Sequence, residues 1–278
     1  MNIWILGARP RTLPAAISPV IVAVAIAYPD FNFLNAILAL IVGLSLQIGV
    51  NYANDYSDGI KGTDQERIGP TRLVASELAS ASAVKNAALF SFGISCLAGF
   101  YLSTRTSYWL IAIGAAAIIS AWRYTGGENP YGYRGLGEIY VFIFFGLVAT
   151  LGTYFTQTGA ITIEAIMAAI SNGATSCALL AVNNIRDING DSKVGKRTLA
   201  VRLGDTRARR FYMFLIFIAI FSSFSITILA ALGIFPAIKL LNEIKFKKGK
   251  ELISVLSATG KFQLVLAGLI SIGSLINI

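Results

Sequence analysis

The 278-residue chain contains no histidine and only two cysteines. The first absence removes the commonest general base and metal ligand, so any catalysis must rest on Asp, Glu, Lys, Arg, Tyr and main-chain groups. Cys96 and Cys177 both lie inside apolar stretches, which predicts neither a disulfide nor a thiolate metal site. Charge is also scarce. Charged residues make up 13% of the chain, against roughly 25% in soluble domains. With 55% hydrophobic residues and a mean hydropathy of +0.69, this excludes both a soluble globular domain and a disordered chain. The composition predicts one integral-membrane domain over residues 1–278, all-α, with many spans. No cleavage site of the small-residue type follows Leu13–Tyr28, so that stretch is expected to be a retained first span.

What is abundant is apolar helix. A spanning helix takes about 20 mostly apolar residues. Seven stretches qualify: Leu13–Ala27, Phe33–Asn51, Val84–Ser103, Tyr108–Trp122, Glu138–Thr156, Ile161–Val182 and Leu252–Ile276. The remaining stretch, Phe211–Leu241, has no charge before Lys239. It is too long for one crossing of a core about 30 Å thick and short for two.

The distribution of basic residues decides that case. With Arg9 and Arg11 placed in the cytoplasm, a single helix over 211–241 would put Lys239, Lys245, Lys247, Lys248 and Lys250 outside, against the positive-inside rule. A tight hairpin turning near Ser222, Ser223 and Ser225 returns them, and 21 of the 23 Lys and Arg then face inward. The expected topology is about nine helices, with the N-terminus and polar loops cytoplasmic and the C-terminus external. The net charge of +9 thus belongs to one membrane face. It suits anionic lipid and implies no nucleic acid.

Two polar segments on that face mix acids with bases, which lipid attraction does not explain. The first holds Asn51, Asn54, Asp55, Asp58, Lys61, Asp64, Arg67 and Arg72. At about 100° per residue, Asn51, Asn54, Asp55 and Asp58 share one helix face. The second repeats the pattern after the sixth span, with Asn183, Asn184, Asp187, Asp191, Lys193, Lys196 and Arg197. Ionised groups at a span's end are expensive without a partner or cation. Five aspartates drawn together (Asp55, Asp58, Asp64, Asp187 and Asp191) would raise one another's pKa unless a cation neutralised them.

Mg²⁺ suits such carboxylates, since it is usually held by a few of them plus substrate phosphate oxygens. The flanking Lys61, Arg67, Arg72, Lys193, Lys196 and Arg197 are suited to the remaining phosphate charge. Acids for metal, bases for phosphate and an apolar bundle below describe a site for a lipid diphosphate. The plainer alternative is a pair of salt-bridged loops, which are common and weak. Its difficulty is the repetition of the pattern.

These residues resemble the UbiA superfamily of intramembrane prenyltransferases, whose paired Asp-rich motifs follow the second and sixth helices of a nine-helix bundle. The menaquinone branch, the dihydroxynaphthoate polyprenyltransferases, is the closer match. Three stretches carry it: NDYSDGIKGTDQERIGPTR at Asn54–Arg72, YTGGENPYGYRGLGEIYVFIFFGLVATLGTYFTQTG at Tyr124–Gly159, and NNIRDINGDSKVGKRTLAVRLG at Asn183–Gly204. The segment Ala8–Pro14 adds to them. The chain departs from the pattern at Glu77, where a small residue or glycine is expected. The region between the seventh and eighth helices is also several residues shorter than usual for the branch.

The resemblance implies transfer of a polyprenyl chain from polyprenyl diphosphate to 1,4-dihydroxy-2-naphthoate, with decarboxylation, in a bacterial cell membrane. It carries Mg²⁺ on Asp55, Asp58, Asp64, Asp187 and Asp191. It also carries substrate contacts from Asn51, Asn54, Lys61, Arg67, Arg72, Tyr124, Arg134, Asn183, Asn184, Lys193 and Lys196. The Gly-rich loop Tyr124–Glu138 is expected to fold as a lid over the acceptor, with Arg134 on the acceptor carboxylate and either Asp191 or Tyr124 as a general base. Another acceptor, such as 4-hydroxybenzoate, is the alternative within the family. A secondary transporter is the alternative outside it, but that would place charges near mid-span.

Overall fold

In a computed structural model, residues 2–63 and 71–276 are described, and no strand occurs among them. A short helix α1 (Ile3–Ala8) leads through a 3₁₀ turn into α2 (Pro14–Ile26). The bend between these two segments is 53°, set by Pro10 and Pro14 in the connection. Two long helices follow, α3 (Phe33–Ile60) and α4 (Ala81–Arg105), then α5 (Leu110–Arg123). Next, α6 (Gly137–Val141), a π-helical stretch (Phe142–Val148) and α7 (Ala149–Thr158) form one continuous helix. The chain then runs through α8 (Ile163–Lys193), the short α9 (Leu199–Leu203), α10 (Asp205–Phe224), α11 (Ile234–Phe246) and α12 (Leu252–Leu275).

The long helices begin at side-chain caps. Asn32, Ser80 and Thr162 accept the backbone N–H of Asn35, Ala83 and Ala165, which satisfies donors that a helix start leaves open. The helix Gly137–Thr158 ends at Gly159, whose φ of 70° continues no helix. Helix α8 is the central element, packed on α2, α10, α12 and the π-helical stretch. Its contact with the π-helical stretch is a backbone crossing: a Cβ on Gly146 would lie 2.5 Å from the Gly173 Cα. Two glycines at that crossing let the helices approach where side chains would separate them.

Five helical segments are long and apolar enough to cross a membrane: α3, α4, Gly137–Thr158, α8 and Gly249–Leu275. The bent pair at the N-terminus makes a sixth. The stretch 211–241 is not one helix. It breaks after Phe224 and resumes through a 3₁₀ turn at Ile228–Gly233 into α11, where Thr227 accepts the backbone N–H of Leu229. Both acid-rich segments are helical further than the apolar pattern suggests. Asn51–Asp58 of the first lie in the last turns of α3 and Asn183–Asp191 of the second in the last turns of α8, which runs through Gly190 to Lys193.

The departure at Glu77 has a conformational counterpart. Glu77 has φ of 56°, in the left-handed region where glycine carries no Cβ penalty. The return from the first acidic segment, Arg72–Ala79, is a turn closed by the Ser76 N–H on Arg72 O, the Glu77 N–H on Val74 O and the Leu78 N–H on Leu73 O. Glu77→Gly is therefore expected to leave activity unchanged and to stabilise the protein slightly, by no more than about 1 kcal/mol. Thermal denaturation in detergent checks this, and a lowered midpoint would contradict it.

Candidate active site

The ends of α3 and α8, the Tyr124–Leu136 loop and the turn at Arg72 surround one large cavity of about 560 Å³. Its polar end carries Asn51, Asn54, Asp58, Arg72, Asn183, Asn184, Asp191 and Lys196. The lining also includes Tyr124, Tyr131, Tyr140 and Phe144, and the rest of it is mostly apolar, with Val20, Leu102, Ile111, Phe145 and Val148 among a few hydroxyl side chains such as Ser103 and Thr153.

Asp58 is the electrostatic centre of the polar end. It is 2% exposed, with Lys196 Nζ 3.2 Å from Oδ1 and Arg72 Nη2 3.6 Å from Oδ2. The Tyr133 hydroxyl donates to the same Oδ1 at 2.5 Å. Lys61 and Lys196 both lie over the Tyr133 ring, with Nζ 5.1 and 4.7 Å from its centroid. A buried carboxylate is stable there only because cations and a hydroxyl replace its water.

The loop is tied to both acid-rich helices. Lys61 Nζ donates to the carbonyls of Thr125 and Gly127, each at 2.8 Å. The Thr125 hydroxyl donates to Asn54 Oδ1 at 2.8 Å, and the Arg197 N–H donates to Tyr133 O at 2.8 Å. Within the loop, Tyr131 stacks on Tyr140 with centroids 3.9 Å apart and meets Tyr124 edge-on at 5.5 Å. Behind these rings the Asn184 amide donates to Glu138 Oε1 at 2.9 Å.

Burial, assisted by Glu138 and Tyr131, pushes the Tyr124 phenol well above its usual range, and burial with Tyr140 nearby raises Tyr131 as well. Both are neutral hydrogen-bond donors at physiological pH. Partial burial is the main effect lowering Lys61, with the Lys196 charge adding to it and Asp58 opposing it.

The structure sorts the site residues expected from sequence. Asn51, Asn54, Asp58, Arg72, Tyr124, Asn183, Asn184, Asp191 and Lys196 converge on the cavity. Asp55 does not line it: fully buried, it accepts the backbone N–H groups of Leu73 and Val74 at 2.9 and 3.1 Å. It thereby fixes the turn that carries Arg72. Asp187 is likewise absent from the lining and is held by Arg186, whose Nε and Nη2 both donate to it at 2.7 Å. Lys61 secures the loop, Lys193 is exposed, and Arg134 is exposed without lining the cavity. Asp64 and Arg67 lie outside the described residues. Among the described residues, which leave out Asp64, no group of three or more His, Cys, Asp or Glu could hold a metal ion.

Four residues go beyond the site residues expected from sequence. Tyr133 holds Asp58, and Tyr131 and Tyr140 form the aromatic wall. Arg9 lines the cavity from a backbone with φ of 52° and donates to Asn51 O at 3.4 Å. The Gly-rich loop and the Ala8–Pro14 segment were the available signals, and non-glycine residues in the left-handed region cluster at functional sites.

An apolar chamber inside a helical membrane bundle, closed at one end by carboxylates, amides and cations, defines a protein that handles a lipid with a charged head. The chain belongs to the UbiA prenyltransferase family, whose sequence profile matches residues 16–254. It is thus a membrane prenyltransferase. It is 45% identical to the 1,4-dihydroxy-2-naphthoate octaprenyltransferase of Mycobacterium tuberculosis, over 98% of each chain. It is 50% identical to the protein of the same name from Mycobacterium leprae, over 77% of this chain and 73% of that one. A UbiA homologue from Archaeoglobus fulgidus, solved bound to GPP and Mg²⁺, has the same fold. Its TM-score is 0.71 at 14% identity, over 98% of this chain and 99% of that chain.

Proposed function

We propose that this enzyme transfers a polyprenyl group from its diphosphate to 1,4-dihydroxy-2-naphthoate with loss of the carboxylate. The observation that carries this is the cavity's polarity: Asp58, Asp191, Arg72 and Lys196 at one end and an apolar chamber beneath. The full-length similarity to the M. tuberculosis enzyme supports the acceptor. We also propose, from the distribution of Lys and Arg along the chain, nine membrane helices with the N-terminus and cavity mouth cytoplasmic and the C-terminus external.

The donors at the mouth fit Mg²⁺. They are hard oxygens, the carboxylates of Asp58 and Asp191 with the amides of Asn54 and Asn183 beside them, and one or two carboxylates plus phosphate oxygens is the usual Mg²⁺ environment. Mg²⁺ bound there supplies positive charge to the diphosphate oxygens as they leave. Arg72 and Lys196 grip the remaining phosphate oxygens, and their charge offsets the negative charge that develops as the allylic carbon–oxygen bond lengthens. The apolar walls hold the prenyl tail and keep water from the cation-like carbon. Tyr124, Tyr131 and Tyr140 present ring faces and edges for an aromatic acceptor, and the Tyr124 phenol serves as a hydrogen-bond donor to it. An already dihydroxylated ring attacks without strong base catalysis, consistent with a chain that has no histidine.

Purified enzyme given farnesyl diphosphate, Mg²⁺ and either 1,4-dihydroxy-2-naphthoate or 4-hydroxybenzoate should form prenylated product at least about a hundredfold faster with the naphthoate. That ratio is about the scale of discrimination by shape in an apolar pocket, and unpaired polar groups would widen it. Comparable rates with both acceptors would overturn the naphthoate assignment. No prenylated product with either would overturn the reaction.

A further inference from the structure

A second, separate cavity of about 340 Å³ lies on the other side of the acidic end of α8, between α8, the start of α10 and the turn joining α11 to α12. Its buried lining includes two guanidinium groups, those of Arg186 and Arg209, which are 4% and 8% exposed. Lys248 and Asn189 are exposed and mark where it opens to the surface. Arg209 is satisfied within the protein: Nε pairs with Asp205 at 2.8 Å, and Nη1 donates to the carbonyls of Ile244 and Lys247. Arg186 is not. Its Nε and Nη2 are used by Asp187, and its buried Nη1 has no hydrogen-bond partner among the described residues.

A buried guanidinium N–H without an acceptor is costly and rare. The Arg186 side chain that carries it lines a space large enough for a small group, together with Arg209, its ion-pair partner Asp205 and the exposed Lys248. Arg with its planar donors is the side chain that best matches a phosphate. The cavity sits at the C-terminal end of α8 and the N-terminal end of α12, two segments apolar enough to span a membrane. That is the level at which lipid phosphates lie, and Lys245, Lys248 and Lys250 are exposed around the same turn. Leu252 and Ile188 give the cavity an apolar side, as a glycerolipid requires and a free inorganic ion does not.

We infer that this cavity binds the phosphate of an anionic glycerophospholipid, taken up between Arg186 and Lys248. The site is independent of the prenyl-transfer cavity, so its fate does not depend on the acceptor assignment. The same Arg186 guanidinium would hold Asp187 on one edge and the lipid phosphate on the other.

The test uses full-length protein in neutral detergent, titrated with dihexanoylphosphatidylglycerol, dihexanoylphosphatidylcholine or inorganic phosphate while the thermal midpoint is followed. Phosphatidylglycerol should raise the midpoint saturably, and phosphatidylcholine should do so far less. Lys248→Glu should weaken the phosphatidylglycerol response about tenfold, the scale of one lost charged contact. Lys250→Glu makes the same charge change outside the cavity lining and should stay within about twofold. If both variants weaken the response equally, only a diffuse basic surface is present and the proposal is overturned. Stabilisation by inorganic phosphate as strong as by phosphatidylglycerol overturns the lipid as the source. A response to neither anion overturns the site itself.

Discussion

Asp58→Asn should lower the rate of prenyl transfer by roughly a hundredfold to a thousandfold, the range for removing one preorganised charge-stabilising group, while the protein still folds. Asparagine is nearly isosteric and its carbonyl can still accept from the Tyr133 hydroxyl, so the loop keeps its anchor. What disappears is the negative charge that Lys196 faces at 3.2 Å and Arg72 at 3.6 Å. Removing one member of a buried ion pair destabilises by about 3–5 kcal/mol, and here the loss should be smaller because both cations also face the cavity. Asp55→Ala should behave differently despite lying three residues away. It deprives two backbone N–H groups of their acceptor, so the melting temperature should fall and activity should follow it. Steady-state kinetics alongside thermal denaturation separates the two. An Asp58→Asn enzyme with more than about a tenth of normal kcat/KM would remove Asp58 from the reacting centre.

Divalent metal binding should depend on the diphosphate. No three acids are grouped among the described residues, and the most central carboxylate already faces two cations. A Mg²⁺ or Mn²⁺ ion approaching alone meets that positive charge. A diphosphate reverses the balance, since its oxygens draw Lys196 and Arg72 and complete the metal's coordination. Mn²⁺ titrated against the protein and followed by electron paramagnetic resonance should bind at least about tenfold more tightly once an unreactive prenyl thiodiphosphate is present, about 1.4 kcal/mol of coupling. Excess EDTA should abolish turnover, and Mg²⁺ should restore it. Equal Mn²⁺ affinity with and without the analogue, or full turnover in EDTA, would show that metal and diphosphate do not share this mouth.

Much of this protein was legible before its fold. Hydropathy alone specifies an all-helical membrane domain, because backbone groups in lipid must be satisfied within each segment. The spacing of Asn51, Asn54 and Asp58 places them on one face of α3, and all three line the cavity. The misplacement of glutamate at position 77 could be noticed from sequence, although its cause is a φ of 56°.

Tertiary structure decided which members of each acidic motif meet the cavity. A helical wheel puts Asp55 about 60° from Asp58, and that angle does not say that the returning chain at Leu73–Val74 will offer two N–H groups to it. Nor does it say that Arg186 will turn back to hold Asp187. Periodicity records direction from one helix axis. The partners of a buried charge come from other segments, and they are chosen by where the chain passes after it leaves the helix. For the same reason Tyr131 and Tyr133 become part of the site only when Lys61, Asn54 and Arg197 fasten their loop over it.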